Sequence, residues 1–269
     1  NTARGFFAGC GLQTAALAFG GSETINRNET ELWNGSGWTE VNNLNTARRQ
    51  NAGLGISTAA LSIGGYGTAL LAFNESWDGT SWTEVADLNT ARNGATGIGT
   101  QPAGLLFGGD NGSGKVTLTE SWNGSAWTEV NDLNTAVQFA GGAGTQTSGL
   151  TFGGTTGSDT AKTESWNGTS WTEINDLATA RRSLAGTGTQ NLALAAGGGY
   201  PVKNVTEEWT DYSGDSTLTF QNEGQVYYNT TTDLIRLSKK VFGTGAWAAG
   251  GAMNTARQYG AGTGTQNAA

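Results

Sequence analysis

Five tryptophan pairs recur along this chain at a nearly fixed interval, and no other feature limits the possible fold as tightly. Four lie in one repeated phrase, "LWNGSGWTEV", "SWDGTSWTEV", "SWNGSAWTEV" and "SWNGTSWTEI", whose leading residues Trp33, Trp77, Trp122 and Trp166 stand 44, 45 and 44 positions apart. Trp209 and Trp247 make the fifth pair, with an insertion between them. A period of this size means one supersecondary unit per repeat, unable to bury its apolar face without its neighbours. Cut at its "NTAR"-type segment, the chain gives units 1–44, 45–88, 89–133, 134–177 and 178–253, with a partial sixth at 254–269; residues 1–269 are read as a single domain. It begins without methionine at the head of one repeat and ends inside another, as expected of a piece or processed product of a longer repetitive protein.

Each unit reads as four short strands: "RRSLAGTGT" for the first, "QTAALAFGG" for the second, "KTESW" for the third and "SWTEINDL" for the fourth, with glycine-bearing turns between them. The Asn-Gly or Asp-Gly between paired tryptophans marks a hairpin tip that needs positive φ. Alternation then puts Glu31, Trp33, Trp38 and Glu40 on one face, making the tryptophans a cross-strand aromatic cluster. The first two strands carry Ala, Gly, Ser and Thr, whereas the outer two carry the indoles. That taper suits a sheet wedged around an axis, so the expected fold is all-β: a propeller of five four-stranded blades. With 44 glycines and 13% charged residues, little material is left for surface helices. The fifth unit is about 32 residues longer than its siblings, and about 210–243 is expected to form an inserted hairpin, "GQVYYN" against "LIRLSKK" around a "TTTD" turn.

The double glycine closing each second strand (Gly20-Gly21, Gly64-Gly65, Gly108-Gly109, Gly153-Gly154, Gly197-Gly198), the aromatic on the third strand and the tryptophan on the fourth resemble the kelch repeat of β-propellers. The third-strand aromatic is Trp where kelch repeats usually have Tyr, and it stands five residues before the second Trp where about six is usual. The "WNGTSWTEI" and "NTAR" version resembles the kelch-like structural and tail proteins of bacteriophages, and the insertion resembles a hairpin of phage tail and fibre proteins. The resemblance implies a non-enzymatic component of the virion surface or an extracellular assembly, serving attachment to a bacterial surface glycan and contact with other virion proteins. A secreted bacterial carbohydrate-binding propeller and a glycan-cleaving hydrolase are the alternatives.

The residues themselves exclude much chemistry. There is no histidine, hence no His-based triad, no His-ligated zinc and no copper site of the galactose-oxidase type, and neither cofactor nor metal is expected. Cys10 is the only cysteine and is expected to pack as a small apolar residue. A net charge of −8 argues against nucleic acid as a partner. No run of 18 apolar residues implies membrane insertion. Gly109–Lys115 nearly matches a phosphate-binding loop, but Val116 stands where Ser or Thr should hold magnesium and a strand, not a helix, is expected next. The carboxylate pairs Glu31/Glu40, Glu75/Glu84, Glu120/Glu129 and Glu164/Glu173 have the composition of a glycosidase site, yet four copies read as architecture, and no catalytic residue is assigned.

A meander puts the second-to-third-strand loops and the crossings between units at one end of every blade. The loops differ in sequence from unit to unit, as befits a ligand face. Arg27, Lys115, Lys162 and Lys203 lie on them, and Arg4, Arg48, Arg92, Arg181 and Arg257 on the crossings, with Val137 breaking the series. These nine are the candidate contacts for an anionic ligand such as an acidic glycan. Ion pairs from the repeated arginines to Glu40 and its equivalents are the competing expectation.

Overall fold

The computed structural model describes residues 2–211 and 246–250, together with the backbone of 226–229 and 234–237. The fold is all-β. The first blade holds β1 (Ala8–Leu12), β2 (Ala15–Phe19), β3 (Thr30–Trp33) and β4 (Trp38–Val41); the second, β5 (Ala52–Ile56), β6 (Ala59–Ile63), β7 (Asn74–Trp77) and β8 (Trp82–Val85). The third comprises β9 (Thr96–Thr100), β10 (Ala103–Phe107), β11 (Thr119–Trp122) and β12 (Trp127–Val130), and the fourth β13 (Gly141–Thr145), β14 (Ser148–Phe152), β15 (Thr163–Trp166) and β16 (Trp171–Ile174). The fifth is built from β17 (Ala185–Gly188), β18 (Leu192–Ala196), β19 (Thr206–Thr210) and β22 (Ala246–Ala249). Each is a four-stranded antiparallel meander, and together they make the expected five-bladed β-propeller.

Between β19 and β22 the chain forms a separate two-stranded antiparallel sheet, β20 (Val226–Asn229) with β21 (Leu234–Leu237), in the register Val226↔Leu237. The pairing is the one expected from "GQVYYN" and "LIRLSKK". The rest of 210–243 beyond Asp211, and the partial repeat 254–269 with Arg257, lie outside the described residues.

The inner strands pack on one another in sequence, β1 on β5, β5 on β9, β9 on β13 and β13 on β17. Their glycines permit this approach: a Cβ added at Gly186 would lie 2.5 Å from the carbonyl oxygen of Gly142, and one at Gly53 would lie 2.9 Å from the Phe19 ring. The outer strands carry the bulk. Trp33↔Trp38, Trp77↔Trp82, Trp122↔Trp127, Trp166↔Trp171 and Trp209↔Trp247 face one another across each hairpin with ring centroids 5.3–5.6 Å apart. The second indole of a pair reaches into the preceding blade. Trp82 lies 4.8 Å from Phe19 and donates to Thr30 Oγ1, Trp171 lies 4.8 Å from Phe107 and donates to Thr119 Oγ1, and Trp247 lies 4.7 Å from Phe152 and donates to Thr163 Oγ1. Each such aromatic contact contributes about 0.5–1.5 kcal/mol beyond the area it buries. Trp82, Trp127 and Trp171 are accordingly 5–6% exposed, whereas Trp38 of the first blade is 41% exposed.

At the hairpin tips, φ at Gly35, Gly79, Gly124 and Gly168 is +92° to +95°, as the sequence requires. The residue before it acts through its side chain: Asn34 Oδ1 accepts the amides of Ser36 and Gly37, and Asp78 Oδ1 those of Thr80 and Ser81. Those backbone donors hold the exposed Asp78 carboxyl below the usual carboxylate range. The four-residue tip thus uses Asn or Asp as an acceptor rather than as a second positive-φ residue.

Candidate functional site

The "NTAR" segment is a cradle for a carboxylate. In the second unit Glu75 accepts hydrogen bonds from the Asn45 amide (2.7 Å), the Asn45 side chain (2.9 Å) and the Thr46 amide (3.2 Å), and forms an ion pair with Arg48. Arg4–Glu31 (3.2 Å), Arg92–Glu120 (3.1 Å) and Arg181–Glu207 (3.3 Å) repeat that pair, with every side chain involved at most 8% exposed. Burial pulls the pKa values of Arg48, Arg92 and Arg181 down from the ordinary guanidinium value, while the facing glutamates pull them back up. The same segment also holds the preceding blade, since the carbonyls of Arg48, Arg92, Val137 and Arg181 accept the amides of Gly21, Gly65, Gly109 and Gly154. A Cβ at Gly20 would lie 2.8 Å from the Arg48 carbonyl oxygen, which is why a glycine pair closes each second strand.

These distances correct the expected partner of the arginines. It is the third-strand glutamate, Glu31 and its equivalents, and not the Glu40 series. Glu40, Glu84, Glu129 and Glu173 sit one strand further out and are exposed. The expected register holds, with Glu31↔Glu40, Glu75↔Glu84, Glu120↔Glu129 and Glu164↔Glu173 directly opposed. In the fourth unit Val137 replaces the arginine. Glu164, 2% exposed, keeps only the cradle amides of Asn134 and Thr135 and the Asn134 side chain, all at 2.9 Å.

The nine sequence candidates therefore have different fates. Arg4, Arg48, Arg92 and Arg181 are interior staples. Arg27 lies 3.3 Å from both Glu23 and Glu29, and Lys162 lies 3.0 Å from Glu173. Lys115 and Lys203 make no ion pair among the described residues, and Arg257 falls outside them. Gly109–Lys115 is a loop leading into β11, with no helix behind it.

What the crossings do assemble is a mouth on the axis. Just past each "NTAR", a positive-φ residue donates its amide to the carbonyl of its counterpart in the preceding blade: Gln50 to Phe6, Gly94 to Gln50, Phe139 to Gly94 and Ser183 to Phe139, each at 2.8 Å. Phe6, Gln50, Phe139 and Ser183, at φ +55° to +57°, are the only non-glycine residues of positive φ among those described. Such conformations cost of order 1–3 kcal/mol each and gather at functional sites. These residues and their neighbours Phe7, Asn51, Gly94, Ala95, Ala140 and Leu184 enclose an open cavity of about 130 Å3 to which all five blades contribute. Asn51 Oδ1 and Ser183 Oγ are covered behind this wall without a hydrogen-bond partner, and the Asn51 carboxamide turns inward to donate to Ser62 Oγ.

The mouth opens among the variable loops, whose residues pair with the crossings: Ser22 with Gly5, Tyr66 with Arg49, Asp110 with Asn93, Thr155 with Gln138. Arg49 stacks over the Tyr66 ring at 5.1 Å, and Arg182 is paired with Asp159 at 3.4 Å. Ile25, Tyr200 and Val202, at 63%, 75% and 38% exposed, stand on the loops of the first and fifth blades at this end. The sequence carried a signal for the mouth in the position after "NTAR" and its neighbour, "GF", "RQ", "NG", "QF" and "RS", which vary while the "NTAR" segment before them barely does.

Glutamines on the opposite end clip blades together: Gln101, Gln146 and Gln190 donate to the carbonyls of Trp77, Trp122 and Trp166 in the preceding blade at 2.5–2.6 Å. Cys10 is buried, and burial pushes its thiol up to about 12, so it is inert as a nucleophile at neutral pH. No group of three or more Cys, Asp and Glu residues that could hold a metal occurs among the described residues. No protein-family model and no curated protein matches the sequence.

Proposed function

We propose that this propeller is a kelch-like, non-enzymatic attachment module of a virion tail or other extracellular assembly, and that it holds a bacterial surface glycan at the loop-bearing end of its axis. The observation that carries this reading is the axial mouth: five blades converge on one cavity, the strained backbone gathers there, and the loops around it are the part of each repeat that packing does not dictate. A binding role suits the carboxylates too. Glu31, Glu75, Glu120 and Glu207 are committed to arginines, and Glu164 to backbone amides, so the repeated glutamate pairs serve architecture rather than acid–base chemistry.

The test is adhesion. Fluorescently labelled protein is incubated with a panel of bacterial cells before and after periodate oxidation of their surface sugars. Binding that periodate abolishes, and that is lost when the 110–115 loop is shortened to a tight turn but kept when the Asn123–Ala126 tip is altered, is the expected result. Undiminished adhesion to oxidised cells, or adhesion traced to the tips, overturns the reading.

A further inference from the structure

Resting on that reading, we infer that the axial mouth accepts one uncharged pyranose ring at the end of the glycan, and not the acidic sugar that the loop cations call for. Among the described residues, the wall of the cavity contains no Asp, Glu, Lys or Arg. The nearest cations on the crossings are already engaged, Arg49 on the Tyr66 ring and Arg182 with Asp159, and the arginines of the cradle are buried against glutamates. An anion entering here would shed its hydration without gaining a counter-charge, which costs several kcal/mol.

Size and surface point the same way. An open cavity of about 130 Å3, near the ~150 Å3 that encloses benzene, seats the face of one pyranose ring while its hydroxyls project into the opening. Phe6, Phe7, Phe139 and Leu184 supply apolar wall for the C–H face of a sugar, while the half-buried Gln50 carboxamide supplies a donor and an acceptor. A pre-formed concavity whose lining mixes apolar and polar surface suits a sugar, which offers C–H faces and hydroxyls together. The backbone is held rigid by the four amide-to-carbonyl links, so little ordering accompanies entry.

The experiment uses the full chain and defined probes: methyl glycosides of neutral hexoses and of N-acetylhexosamines, beside glucuronate and N-acetylneuraminate. Binding is read by saturation-transfer NMR and calorimetry at low and high ionic strength. At least one neutral glycoside should bind with an affinity that salt leaves unchanged. Gln50→Trp, which puts an indole into the lining of the mouth, should abolish that binding, and Gln50→Ala should weaken it about tenfold; unaltered thermal melting of both variants shows that they still fold. Binding of the acidic sugars alone, lost at high salt, overturns this inference and leaves the adhesion reading standing. Neutral-sugar binding that survives Gln50→Trp overturns the placement in the mouth. Periodate-sensitive adhesion to cells with no binding of any neutral glycoside likewise refutes the inference alone, whereas failure of adhesion itself removes the reading beneath it.

Discussion

A single substitution written by the sequence itself, Val137 in place of arginine, separates two roles of the cradle. Where the arginine is present, removing the charge of its glutamate strands a buried cation, and breaking such a pair costs about 3–5 kcal/mol. Where it is absent, the glutamate holds only amide donors, and glutamine keeps the oxygen that both Asn134 donors use while losing the acceptor of the Thr135 amide. Glu120→Gln should therefore destabilise the protein by several kcal/mol, and Glu164→Gln by about 1 kcal/mol, measured by denaturant unfolding of the two variants side by side. Equal losses would mean that the arginine adds nothing to the cradle. The partner of the arginines was not legible in the sequence, because each of the first four hairpins offers two glutamates of one face, Glu31 and Glu40 in the first, and spacing does not say which strand lies deeper. Burial decides it, since the third strand is covered on both sides and the fourth is the edge.

At the scale of the element, the repeat made nearly everything legible. The four strands of each blade, the pairing of tryptophan with tryptophan and the positive φ of the tip glycines all follow from alternation and turn chemistry, because each unit repeats the same solution. The strands came out shorter than their phrases. In "SWTEINDL" only Trp171–Ile174 pairs; Asp176 turns back to accept the Thr163 amide, and Leu177 drops into the core at 4% exposure. The glutamine clips had a readable signal, the "TQ" recurring at Gln101, Gln146 and Gln190 in an otherwise loose turn, whose meaning needs a neighbouring blade to be seen. The fifth blade offers a test of how independent a hairpin is. Trp209↔Trp247 pair at 5.6 Å as elsewhere, although the chain between them is far longer. Replacing 210–246 with the four-residue tip of the fourth unit, Asn-Gly-Thr-Ser, should leave the melting temperature within a few degrees of the parent. A collapse of cooperative melting would show that the insertion supports the blade.

Over the whole molecule the same interface is used again and again, and stability is correspondingly a sum of like blades and like junctions. At each junction of the second, fourth and fifth blades with the one before, an indole from the later blade is laid on a phenylalanine and bonded to a threonine of the earlier. That polarity gives the propeller a direction. The first blade presents the inserting member of the set: Trp38 stands 41% exposed, and Gln13, at the position of the clips, is exposed as well. Seen as an optical property, this asymmetry gives the protein a built-in reporter. Buried indoles emit at shorter wavelength and are shielded from ionic quenchers, so iodide should remove a small, red-edge fraction of the fluorescence that Trp38→Phe deletes and Trp82→Phe does not. A partner or ligand that covers the first blade would then announce itself as a blue shift in one residue out of ten, without any label being attached.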